Sequence, residues 1–191
     1  LYNVIIEENY AINDGGGIYC SGDISLEDVI IRNNVCLRYG GGICSDGTMN
    51  LEIIDSSIEG NYSADRAGGI YCYGSYLNMT MTGGEIINNT AAYGGGLYSY
   101  LSNPFLDNVL IAGNTATNSG GAFYLNNLAN LSLVRSSLIH NLALISGGGV
   151  FCIQHSTVMI INSILWENLP HQVYLYHLGL INQIMVGYSD I

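Results

Sequence analysis

Residues 51–72 read LEIIDSSIEGNYSADRAGGIYC. Apolar and small side chains alternate by twos within them, at Leu51 and Ile53 and again at Ser56 and Ile58. Asn61 stands three positions after Ile58, and Gly68-Gly69-Ile70 opens the last segment. A period of two marks strands with one buried face, and asparagine and glycine between such runs mark turns. The same reading recurs at Leu131, Leu133, Ser136, Leu138 and Asn141, and at Val158, Ile160, Ser163, Leu165 and Asn168.

Extended over the chain, the asparagines form a column at Asn9, Asn34, Asn61, Asn89, Asn114, Asn141 and Asn168, spaced by 25 to 28 residues. Each follows, by three positions, Ile6, Ile31, Ile58, Ile86, Ile111, Leu138 or Leu165. Six of the seven repeats continue into a glycine pair and an apolar or small residue: Gly16-Gly17-Ile18, Gly41-Gly42-Ile43, Gly68-Gly69-Ile70, Gly95-Gly96-Leu97, Gly120-Gly121-Ala122 and Gly148-Gly149-Val150. Repeats of this period build solenoids, in which each unit buries its inner face only against its neighbours. Two short strands before the Asn and a third after the glycines give three strands per coil. The chain is therefore expected to be all-β, a parallel β-helix of about seven coils of 25–28 residues.

The repeated residues have physical tasks in such a coil. Asparagines over one another form a structural ladder of side-chain amides that also satisfies turn backbone. Glycine pairs permit φ > 0 or close backbone approach. Two residues past the Asn stand Ala11, Cys36, Ser63, Ala91, Ala116 and Ala143, small side chains suited to an inward-facing corner. With strands about 4.8 Å apart, the Asn column spans roughly 29 Å.

Glycine-glycine-apolar coupled to apolar-x-x-Asn resembles the repeat of the polymorphic outer membrane proteins and of the broader right-handed β-helix surface proteins of bacteria. The likeness covers residues 1–168, with Ile or Leu where that family usually has Phe. Asn162 to Asn168 and Val186 to Ile191 are similar to the last regular coils of secreted bacterial β-helix proteins. The resemblance implies a right-handed solenoid, export, a bacterial cell-surface location and adhesive or structural work. Residues 169–191 lose the glycine signature and are expected to form one irregular last coil. Leu1 begins inside a coil, so the chain reads as part of a longer exported protein.

Composition narrows the partners. The chain has no lysine, four arginines and fifteen acids, a net charge of -11, which disfavours nucleic acid. Residues 1–85 hold twelve acids and three arginines, whereas residues 86–191 hold three acids and one arginine. Ser136 to Trp166 lacks charge, but glycine, asparagine and glutamine interrupt it, so no transmembrane segment is read there. Cys20, Cys72 and Cys152 share one column with Ser45 between the first two, and cysteines two coils apart are out of disulfide reach. All five cysteines are expected to be reduced.

Catalytic equipment is sparse: the sequence offers no catalytic residue and leans away from an enzyme. Asp28 and Asp55 hold equivalent corner positions on adjacent coils and are the one candidate pair for a cation such as Ca2+, although Gly83, Asn108, Arg135 and Asn162 continue the column as turn residues. No other cofactor is implied. Arg32 falls between Glu7 and Glu59, a ladder of alternating charge, and Arg38 and Arg66 read as solvated bend residues. His140, His155, His171 and His177 lack ligand spacing.

Two outward columns stand out. The first is aromatic: Tyr19, Tyr71, Tyr98, Phe123 and Phe151, with Cys44 among them. The second lies two and four residues before the Asn, where Ile87, Leu110, Ala112, Ile139, Ile164 and Trp166 follow the more polar Glu7, Arg32, Ser57 and Glu59, together with Ile5 and Ile30. An apolar strip on an outer face marks a contact surface. The sequence thus predicts a non-catalytic extracellular structural or adhesive module that works by lateral or end-to-end contacts, through self-association or another surface protein. The alternative is a β-helix that binds or cleaves polysaccharide on its aromatic face.

Overall fold

The computed structural model describes residues 1–47, 50–75, 77–176 and 182–190. The chain winds as an all-β parallel solenoid, and each strand pairs with its counterpart one coil away. The first sheet holds seven strands, from Ile5–Glu7 to Ile164–Trp166, and leads into the Asn corner. The third, also of seven, runs from Ile18–Cys20 to Val173–Leu175 after the glycines, and the fourth from Ile24–Glu27 to Gln183–Gly187. These are the three strands per coil that the alternation predicts. A second sheet of six strands, Tyr10–Ala11 to Leu142–Ala143, adds a short ladder just past the Asn. Most of its strands are too short to show a period. Among the described residues there is no helix, so none is long and apolar enough to cross a membrane.

Sharp corners separate the sheets, made by residues in the left-handed region. Between the fourth and first sheets these are Asp28, Asp55, Gly83, Asn108, Arg135 and Asn162, with φ from 45° to 70°. Between the first and second they are Glu8, Asn33, Gly60, Asn88, Gly113, His140 and Glu167, with φ from 51° to 65°. Such a conformation costs a residue with a Cβ about 1–2 kcal/mol, least for Asn and Asp, so something must hold it in place.

The next residue supplies that hold. Asn34 donates through its backbone N–H and its Nδ2 to Asn61 Oδ1, at 3.0 and 3.1 Å, and Nδ2 also donates to Ile6 O at 2.9 Å. The amide-to-amide bond repeats from Asn9 to Asn168 at 2.8–3.1 Å. At the other corner Ser56 Oγ accepts from Val29 N at 2.9 Å, and Ser136 and Ser163 repeat the arrangement. From Asn34 onward these side chains are buried, and an unpartnered one there would cost about 1–3 kcal/mol. Inside them Leu51, Ile53, Ile58, Ile70, Leu97, Leu133 and their counterparts fill one continuous core. Full burial of each such side chain contributes about 1.5–3 kcal/mol.

At the third bend the left-handed residue stands just before the glycine pair: Gly15, Gly40, Ala67, Gly94, Gly120 and Gly147. The pair itself lets backbones touch, because a Cβ on Gly41 would meet Tyr62 O and Gly68 O at 2.5 Å. This corrects the reading of the fifth repeat. Gly120 is its left-handed residue, and Ala122 stands where other coils have the second glycine, since both Gly96 and Leu97 donate to Ala122 O. Phe123 therefore pairs with Leu97 and Val150 and is fully buried in the core, while Tyr124 takes the outward place between Tyr98 and Phe151. One alanine for one glycine moved the apparent register by one residue, which in a strand reverses the face.

Candidate functional site

The outer face of the first sheet carries two columns in strict register. One is Glu7, Arg32, Glu59, Ile87, Ala112, Ile139 and Trp166, and the other is Ile5, Ile30, Ser57, Glu85, Leu110, Ser137 and Ile164. Arg32 Nε lies 2.7 Å from Glu7 Oε2, and its Nη1 lies 3.8 Å from Glu59 Oε1. Past Glu59 the first column is apolar to its end. Trp166 is 59% exposed and Ile164 48%, with Leu110 also open and Ile87 and Ile139 half-buried. Glu85 and Ser137 interrupt the second column. Around the Asn corner, exposed Leu142, Leu144 and Leu169 extend the apolar surface beyond what the sequence reading included. For Leu142 and Leu144 the signal was a run without charge from Ser136 to Trp166. His140 Nδ1 and Glu167 Oε2, 3.1 Å apart, edge this surface.

The outer face of the third sheet differs from the flat aromatic strip that the sequence suggests. Its column is Tyr19, Cys44, Tyr71, Tyr98, Tyr124, Phe151 and Tyr174. Tyr19 is exposed, but Tyr71, Tyr98 and Phe151 are 5%, 2% and 6% exposed. The bend before the glycines folds its side chains back over them: Tyr39, Arg66 and Tyr93 form the cover. Tyr39 lies beside Cys44, where the column lacks a ring, and stacks on Tyr71 at 4.7 Å between centroids. The stack continues through Tyr98, Tyr124, Phe151 and Tyr174 at 4.8–5.6 Å. These rings are a second small core outside the first, stabilised by burial and by ring-to-ring contact.

Arg38 and Arg66, expected to be solvated, lie on this stack. Their guanidinium carbons are 4.7 and 5.0 Å from the Tyr39 centroid, and Arg66 is also 5.3 Å from that of Tyr98. Cations over rings are attracted by the quadrupole. Burial holds the Tyr71, Tyr98 and Tyr124 hydroxyls above the ordinary tyrosine range, partly offset at Tyr71 by Arg66 and at Tyr98 by the Asn126 amide, which donates to it at 2.9 Å. Burial, then Asp14 and Asp46, pushes the Cys44 thiol up as well, which favours its protonated form.

A cleft of about 460 Å³ opens at the head of this stack. Asp14, Arg38, Tyr39 and Arg66 form one wall, Asp46, Tyr73 and Tyr100 the other, with Cys44 and Tyr71 lining the rest. Tyr73 stacks on Tyr100 at 5.5 Å, and Tyr19 Oη donates to Asp46 Oδ2 at 3.3 Å. The sequence reading missed this wall. Its signal was the residue one before the left-handed bend, Asp14, Tyr39, Arg66 and Tyr93 in successive coils, a column visible only once the bend is aligned.

Of the remaining candidates, Asp28 and Asp55 line one shallow groove with Glu85. Asp28 and Asp55 occupy left-handed corners, and the Asp55 carboxylate leans over the next coil into the space that Gly83 leaves free. Among the described residues no group of three His, Cys, Asp or Glu could hold a metal. Arg135 pairs with Asp107 on the preceding coil, with Nε 2.9 Å from Oδ1. The five cysteines are unpaired, with Ser45 between Cys20 and Cys72. His155 lies at a left-handed bend, His171 lies 5.0 Å from the Tyr174 ring, and His177 lies outside the described residues.

Comparison with curated proteins and with solved structures returned no match. A family model described as a right-handed β-helix region matches residues 2–182, nearly the whole chain. With its parallel coils and amide ladder already described, the chain belongs to the right-handed β-helix family.

Proposed function

We propose that this chain is a non-catalytic structural or adhesive module of an exported bacterial surface protein, and that it acts by lateral contact with a second copy of itself. The observation that carries the reading is the apolar half of the first sheet, from Ile87 to Trp166, with the exposed leucines around its corner. Water-exposed apolar surface gathered on one face favours association, and an exposed tryptophan is among the residues that contribute most to such contacts when buried. Charge supports a second copy as the occupant. Two rods meeting through their nearly neutral halves about a two-fold axis keep their acidic halves at opposite ends. The likeness of the repeat to bacterial outer-membrane repeats supports the location.

Sedimentation velocity over a range of concentrations tests this. The wild-type chain is expected to sediment faster as concentration rises, and the Ile139→Asp, Trp166→Asp double variant to remain monomeric with an unchanged circular dichroism spectrum. A wild-type chain that stays monomeric at every concentration overturns the reading. The alternative, a β-helix that binds polysaccharide along its aromatic column, loses most of its platform beneath Tyr39, Arg66 and Tyr93. On that face it leaves Tyr19 and the tyrosines of the cleft at the head of the stack accessible.

A further inference from the structure

We propose that lateral association of the apolar half is gated by pH through His140 and Glu167, and tightens as the imidazole takes up a proton. This deepens the reading above and rests on it.

The two side chains stand at successive corners between the first and second sheets, both exposed, with Nδ1 3.1 Å from Oε2. Apolar side chains flank them on both sides. Ile139 and Trp166 precede them on the first sheet, and exposed Leu142 and Leu169, bridged to each other, follow around the corner. A second copy that seats on both flanks therefore covers the pair between them.

Little else is near enough to balance the carboxylate. From Ser136 to Leu169 the chain has no lysine, arginine or aspartate, and Glu167 is its only acid. The corner before His140 is Gly113, which has no side chain. At the open edge of the first sheet, Asp190 bridges to Ile164 and adds a second negative group. Glu85, on the outer face of the same sheet, accepts from Ser57 Oγ at 3.0 Å. Arg135, at the opposite corner, is committed to Asp107, and His171 lies against Tyr174 at the third bend. Among the described residues, His140 is thus the one group placed to neutralise Glu167.

Covering a carboxylate strips its water, which is costly unless a positive partner stays beside it. A neutral imidazole offers Glu167 no charge, whereas a protonated one offers a full charge at contact distance. The associated state therefore holds a proton on this pair more tightly than the free chain does. Association takes up protons and strengthens as pH falls through the range in which imidazoles ordinarily change charge, about pH 5 to 8.

Sedimentation equilibrium at about pH 5.5 and about pH 8 tests the proposal. The wild-type dimer is expected to weaken by about tenfold or more at the higher pH. Glu167→Gln removes the charge and should associate at both values about as tightly as the wild type does at the lower one. His140→Gln leaves the carboxylate without its partner and should associate weakly at both. Glutamine already occupies the left-handed region at Gln154, so both corners should accept it with an unchanged circular dichroism spectrum. Equal wild-type association at the two values overturns the gating and leaves the lateral contact standing. So does either variant that keeps the wild-type pH dependence, because the sensitivity would then lie in other groups. A wild-type chain that is monomeric at both values overturns the contact itself, and the gating with it.

Discussion

The two halves of the first sheet have the same backbone, the same register and the same buried Ile or Leu beneath, yet their outer columns differ. From Glu7 to Glu59 the residues alternate in charge, whereas from Ile87 to Trp166 they are apolar. Every side chain in that column points away from the core, so the fold requires neither composition. Charge at an outward position suits water, and an outward tryptophan suits another surface. The difference therefore reports what lies outside each half rather than what holds it together.

The largest effect is expected where both halves share a frame. Asn89 lies at their junction: its Oδ1 accepts from Asn61 N and Nδ2, and its Nδ2 donates to Ile58 O and Asn114 Oδ1. Asn89→Ala leaves several of these groups buried and unpaired, a loss of about 3 kcal/mol or more in urea denaturation. Both halves should unfold in one transition. Loss of only one half would show that they are separate units and would break the comparison.

Next comes the apolar half alone. Ile139→Asp with Trp166→Asp should weaken self-association by about tenfold or more in sedimentation, because tryptophan contributes heavily to such contacts and both changes place a charge on the apolar face. Unfolding stability should change little, since both side chains face outward.

An alkaline titration probes the third sheet, whose rings are covered rather than displayed. Burial raises the hydroxyls of Tyr71, Tyr98 and Tyr124, so the folded chain holds these protons more tightly than the unfolded chain does. Their contribution is fully present below the ordinary tyrosine value of 10.0 and is lost as pH rises beyond it. The thermal midpoint should be flat up to the ordinary thiol value of 9.0, where the buried cysteines begin to contribute a loss of the same sign. It should fall more steeply above 10.0 as the tyrosines join them. A midpoint independent of pH through this window would mean that the rings are open to water.

The smallest effect belongs to the charged half. Arg32 and its two partners are well exposed, and exposed ion pairs contribute little and are screened by salt. Arg32→Ala should barely move the thermal midpoint, and even that change should vanish in high salt. It should leave assembly untouched.

Most of the scaffold was legible because its rules are local. Alternation at Leu51, Ile53, Ser56 and Ile58 shows the strands, and the Asn period shows the coil. The outer layer was less legible. Phe123 was assigned to the wrong face because Ala122 replaces a glycine, and sequence alone does not show which neighbour counts as a glycine's equivalent. The cover made by Tyr39, Arg66 and Tyr93 depends on a bend folding back over a sheet, which no period encodes. The cleft follows from that cover and from Cys44, so it could not be read before the bend was aligned.

Hydroxyl-radical footprinting of the wild-type chain at low and high concentration tests the contact most directly, because it compares the two halves within one molecule. Oxidation of Trp166 and Ile164 is expected to fall as concentration rises, while that of Ile5, exposed on the same face at the charged end, stays constant. Equal oxidation of Trp166 and Ile164 at both concentrations would contradict the account.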